Sequence, residues 1–291
     1  MKPPAFAYHD PTSLEEALEI LRRYGEDAKV LAGGQSLMPL LNFRLSAPAV
    51  VIDLNRIAAL AYIRQEDGQL RIGAMTRQRA IEFSALVRGR LPLLYEATTL
   101  IGHLPIRTRG TIGGSLSHAD PAAEYPAVAV ALEAELVLQN ASSTRVLRAE
   151  EFFVTYLTTA LAPDEIVVEV RFPLSVSTSG WAFAEFAQRH GDFALAGVAA
   201  VLDANGEQCR LARLAAAGVG PTPIRLRTIE RMLEQNGLTE QSIDAAAERA
   251  AELVEPDQDL HASADYRRHL VRVLSRRALR QAAARSREKQ R

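Results

Sequence analysis

A chain of 291 residues, 48% hydrophobic and 24% charged, is large enough to bury two modest cores and too apolar to stay disordered. Its formal charge of -1 gives no net basic field, which argues against wholesale capture of nucleic acid or of an anionic membrane. Cys209 is the only cysteine, so internal disulfides are excluded, and a 2Fe-2S cluster, which needs about four cysteine or histidine ligands, has to belong to another polypeptide.

Met1 to Phe6 hold no apolar run of signal-peptide length, and no later stretch approaches the roughly 20 apolar residues of a membrane span, so the expected location is cytoplasmic. Ser13-Leu14-Glu15-Glu16 reads as a capping box. Leu14, Ala17, Leu18 and Leu21 then follow at helical spacing until Gly25. Residues 28–32 read as a buried strand, and Leu37, Met38, Leu40 and Leu41 mark a second helix. A strand is expected over 49–54, and a hairpin pairs 60–64 with 69–74 across Asp67-Gly68. Residues 91–101 read as helix, whereas 102–125 form a polar, glycine-rich passage with little periodicity. Structureless stretches of that length are usually functional.

Helix resumes over 126–133, a hairpin is expected from 135–139 and 144–147, and 165–170 alternate as a strand before Pro173. The Ser/Thr-rich residues 174–180 read as an interdomain connection. Beyond it lie strands over 181–187, 197–203 and 209–217, with a hairpin turn at Asn205-Gly206. Three helical stretches, 223–236, 241–253 and 265–284, precede a frayed basic tail at 285–291.

The chemistry concentrates in two glycine pairs. Ala32-Gly33-Gly34-Gln35-Ser36 joins a strand to a helix, where glycine lets backbone N–H groups face a ligand and the helix start favours an anion. Taken alone it is more often just a tight turn. Thr111-Ile112-Gly113-Gly114-Ser115 repeats the pattern, and two such loops suit a dinucleotide diphosphate. The familiar fingerprints are absent: after Gly218-Val219-Gly220, Pro223 stands where a third glycine belongs, and no phosphate-binding G-x-x-x-x-G-K-[ST] motif occurs.

The segments from Lys29 to Leu37 and from Thr111 to Pro121 resemble the FAD-binding medium subunit of the xanthine dehydrogenase and carbon monoxide dehydrogenase family. The likeness extends to Ile101-Gly102-His103-Leu104-Pro105-Ile106-Arg107, to Arg189-His190-Gly191-Asp192-Phe193-Ala194 and to the run from Gly218 to Arg225. It implies an α+β chain: a two-lobed FAD-binding domain of the vanillyl-alcohol-oxidase (PCMH) type over 1–175, with lobes of about 1–57 and 58–175, then a smaller α/β domain of three strands plus helices over 176–291. It implies FAD as cofactor and an electron-transfer role inside a molybdenum hydroxylase. The partners would be a small subunit with 2Fe-2S clusters and a large molybdenum-cofactor subunit, assembled as a dimer of heterotrimers.

By the same resemblance, Lys29, Val30, Leu31, Ala32, Gly33, Gly34, Gln35, Ser36 and Leu37 form the pyrophosphate loop. Thr111, Ile112, Gly113, Gly114 and Ser115 form the second phosphate and ribityl loop. Ile101 and Val167 are apolar contacts to the flavin, and Ser117, Asp120 and Glu124 are polar contacts to the ribityl or adenosine part. One departure stands out: relatives often carry a lysine in the run matching Phe183-Ala184-Glu185-Phe186, and here there is none.

Read as residues alone, Asp120 and Glu124 suit ribose ligands or solvated charges better than an acid/base pair. His118 with Asp120 lacks the convergent set a metal needs. Arg107 and Arg109 divide between anion binding and the surface, and Trp181, Phe183 and Phe186 read as packing. A stand-alone flavin oxidoreductase and a non-redox nucleotide-binding scaffold are the alternatives.

Overall fold

The computed structural model describes residues 2–174 and 179–290. In the first lobe, the strand Val50–Asp53 lies between Ala7–His9 and Ala28–Leu31, parallel to both. Parallel neighbours need crossover connections, and helices Leu14–Tyr24 and Leu37–Asn42 occupy them. Ser13 caps the first helix by accepting the Glu16 N–H at 3.2 Å, while the Glu16 carboxylate takes the N–H of Thr12, one residue earlier than a capping box would have it.

The second lobe is an antiparallel sheet in the order Ile63–Glu66, Gln69–Gly73, Ile166–Pro173, Glu135–Gln139, Thr144–Arg148. Its central strand was expected to alternate, yet Ile166 to Val170 are all buried. Both faces are covered: Val167 and Val170 enter the core of the second lobe, and Ile166 and Val168 pack with Leu18 and Ile52 of the first. That shared packing welds the lobes together.

The passage 102–125 is not structureless. It holds helices Leu104–Arg109 and Ile112–His118, and a third, Glu124–Ala131, begins inside it. Helices of six and seven residues are too short to display a period of 3.6.

In the C-terminal domain the three expected strands, Gly180–Phe186, Ala196–Asn205 and Gln208–Ala217, pair antiparallel, and a fourth of two residues, Ile224–Arg225, edges the sheet. The hairpin turn falls one residue later than expected, on Gly206 and Glu207, because Asn205 still pairs with Gln208. Helices Arg227–Asn236, Glu240–Glu252 and Ala264–Glu288 cover one face over Val198, Ala200 and Leu214. Phe183, Ala199, Val201 and Ala215 on the other face join the core of the second lobe. The expected break at residue 175 lies outside the described residues.

The basic tail is not frayed. The last helix runs to Glu288, and Arg285 donates to Glu96 at 2.6 Å and to the Trp181 carbonyl at 2.9 Å. Arg287 reaches the carbonyls of Gly206 and Leu238, and Lys289 that of Ser179. Arg285 and Lys289 lie 4.9 and 4.6 Å from the Trp181 ring centroid within the same domain, and the Arg285 bond to Glu96 ties that domain to the first.

Candidate cofactor site

The two glycine pairs meet. A Cβ on Gly33 would stand 2.5 Å from the Arg109 carbonyl oxygen and 2.7 Å from the Gly110 Cα, so any side chain there would force the loops apart. A Cβ on Gly114 would lie 3.2 Å from that of Ala32. Around this junction opens a cleft of about 570 Å³, a size suited to a cofactor.

The loops present different chemistry. Among the described residues, the backbone N–H groups of Gly33, Gly34, Gln35 and Ser36 donate to no protein acceptor. Four amides in sequence make a nest for an anion. The Gln35 side chain folds back to the Gly33 carbonyl at 3.0 Å, which stiffens the turn. In the second loop the amides are occupied: Ile112 donates to Thr76, Gly113 to Ala74, Gly114 to the Thr111 hydroxyl and Ser115 to the Thr111 carbonyl. The expectation of two amide cradles is thus corrected to one. Gly113 and Gly114 open a helix capped by Thr111, and Gly113 serves close packing, its missing Cβ only 2.5 Å from that of Ala74.

Lys29, Val30, Ala32 to Leu37, Ile101, Thr111, Gly113 to Ser115, Ser117, Asp120, Glu124 and Val167 all line the cleft. Leu31 and Ile112 do not. Leu31 packs beneath Gly34, and Ile112 is wholly buried in the core. The cleft is further lined by Gln78, His118 and the tip Gly191-Asp192-Phe193 of the C-terminal domain. Phe193 is exposed there, and the resemblance of the run Arg189 to Ala194 is the sequence signal that marks this tip. Gln78 carries a buried Oε1 without a hydrogen bond among the described residues, a further orphan aimed at the same region.

Glu124 is 7% exposed, and burial first, then the Glu185 charge, push its carboxyl up to about 8. Glu185 stands in the run that lacks a lysine, its own carboxyl raised to about 7 by burial. Near pH 7 Glu124 is therefore mostly protonated, whereas Glu185 is about half ionised. Burial lowers the His118 imidazole, partly opposed by Asp120. Arg107 neither lines the cleft nor lies solvated: it pairs with the Glu82 carboxylate at 3.0 Å and holds the carbonyls of Ile101 and Gly102, fixing Ile101 at the cleft wall. Arg109 is exposed, while Trp181 and Phe183 pack at the domain junction, as their spacing suggested.

Unpaired amides, hydroxyls and apolar walls gathered between two lobes define the holding site of a nucleotide-type cofactor on a two-domain flavoprotein scaffold. Residues 4–175 match the FAD binding domain in molybdopterin dehydrogenase, and residues 181–282 match the CO dehydrogenase flavoprotein C-terminal domain. The chain belongs to this family of FAD-binding oxidoreductase subunits, the medium subunits of molybdenum hydroxylases.

It is 43% identical to the 6-hydroxypseudooxynicotine dehydrogenase complex subunit alpha of Paenarthrobacter nicotinovorans, over 99% of this chain and 97% of that one. Identity to the caffeine dehydrogenase subunit beta of a Pseudomonas species is 42%, over 98% of this chain and 97% of the relative. Among solved structures, carbon monoxide dehydrogenase from Hydrogenophaga pseudoflava superimposes with a TM-score of 0.96 at 40% identity, covering 98% of this chain and 99% of that one.

Proposed function

We propose that this chain carries electrons within a heteromeric molybdenum hydroxylase. It would receive them from 2Fe-2S clusters of a small subunit and deliver them to an external acceptor, while substrate is oxidised on a large molybdenum subunit. The single observation that carries this reading is the cleft at the junction of the two glycine pairs, in a chain whose one cysteine, Cys209, is buried and cannot bind a cluster.

FAD supplies reversible one- and two-electron chemistry when bound. The chain's own residues do the rest. The amides of Gly33 to Ser36 would take the diphosphate, and Ser115, Ser117 and Asp120 the ribityl or adenosine hydroxyls. Ile101 and Val167 would wall the ring, and Glu124, neutral at pH 7, would donate a hydrogen bond where a carboxylate could only accept. Phe193 would exclude water from the mouth. The assembly would be a dimer of heterotrimers in the cytoplasm; among the described residues, no helix is long and apolar enough to cross a membrane.

Purified chain should be yellow and release FAD on denaturation, and its flavin should bleach when substrate is given to the assembled complex. A colourless chain that cannot be reconstituted would end the reading. Bleaching of the isolated chain by substrate would favour a stand-alone oxidoreductase. Flavin that stays oxidised in the working complex would favour a scaffold.

A further inference from the structure

The glycine-pair contact leaves a mechanical question: Gly33 touches the Arg109 carbonyl through bare backbone, and such a contact supplies little force of its own. Two side chains outside the cleft answer it. The Asn55 amide nitrogen donates to the Ala32 carbonyl at 2.9 Å, and its amide oxygen accepts from Arg77 Nη2 at 2.5 Å. Arg77 Nη1 in turn donates to the Arg109 carbonyl. The chain Ala32, Asn55, Arg77, Arg109 is thus closed across the junction, ending on the residue before one glycine pair and on the carbonyl that abuts it.

Both ends of this brace are anchored. Asp53 Oδ1 accepts the Asn55 backbone N–H at 2.8 Å and also its side-chain amide, which holds the amide plane at the end of the strand Val50–Asp53. Arg77 bridges to Thr111 through its backbone, and Gln78 donates to Gly110 at 2.9 Å. The chemistry is specific to these residue types. A carboxamide offers a donor and an acceptor in one fixed plane, which a carboxylate does not, and a guanidinium forks to two acceptors with fixed geometry where a lysine cannot. Asn55 is exposed, and neither residue lines the cleft.

We infer that Asn55 and Arg77 are positioning residues that set the spacing of the two glycine loops and thereby the grip on the cofactor. This rests on FAD occupying the cleft. The test is to measure FAD affinity and visible circular dichroism of the bound flavin, with melting temperatures of apo and loaded forms, for full-length wild type, Asn55→Asp, Arg77→Lys and the double variant.

The brace predicts that each single variant weakens FAD at least about tenfold and alters the flavin circular dichroism, with the apo melting temperature unchanged. The double variant should be no worse than the weaker single one, because both changes cut one linkage. FAD affinity and circular dichroism like wild type in both single variants would overturn it. So would equal losses of melting temperature in apo and loaded forms, which mark a merely structural role. Wild-type chain that binds no FAD would overturn the cofactor reading and the brace together.

Discussion

Glu124 illustrates how little of a residue's behaviour is contained in its type. A glutamate ionises near 4.5 when free, but here its carboxyl holds its proton up to about 8, because burial and the Glu185 charge oppose ionisation. Such a group binds its proton more tightly folded than unfolded. The stability it contributes is fully present below pH 4.5 and is lost as pH rises through about 8. Glu124→Gln keeps the neutral shape, so above pH 8 the variant should melt higher than wild type, with the gain vanishing at pH 4. Thermal melts across that range measure it. Gly33 offers the opposite case, where any atom is too much. Gly33→Ala should lose FAD by roughly tenfold or more, at 1.4 kcal/mol per decade, because the added methyl meets backbone that cannot rotate away. Titration of the apo form with FAD reads this directly.

At the scale of elements, the helix Ile112–His118 depends on its cap. Thr111 is 2% exposed and its hydroxyl accepts the Gly114 N–H at 3.1 Å. Thr111→Ala should cost about 1 kcal/mol in a denaturant titration, and Thr111→Ser nearly nothing. This helix also marks where the sequence could be read and where it could not. Long amphipathic elements such as Leu14–Tyr24 print their period and their caps, and the hairpins of the second lobe print their turns. Leu104–Arg109 and Ile112–His118 are too short for that, and Ile224–Arg225 is a strand only because a neighbour is present to pair with it. The glycine pairs were legible as a site, but that the second spends its amides internally was not, since Ala74 and Thr76, which take the N–H groups of Gly113 and Ile112, lie more than thirty residues away in the chain. The tail misled for a related reason: arginine and lysine look solvated until the carbonyls and the carboxylate that receive them are in place.

For the whole molecule, the sheet of the C-terminal domain has no free face. One side lies under its own helices, and the other, through Phe183, Ala199, Val201 and Ala215, completes the core of the first domain. Residues 179–291 expressed alone should therefore expose that apolar face, aggregate or bind a hydrophobic dye, and fail to give a sharp melting transition. A soluble, cooperatively melting fragment would contradict the shared core.

The ion pair of Arg285 with Glu96 ties to the first domain the one whose tip, Gly191-Asp192-Phe193, finishes the cleft. Loosening that tie would let the tip draw away from the mouth, and a prosthetic group would then depart more readily although no residue touching it had changed.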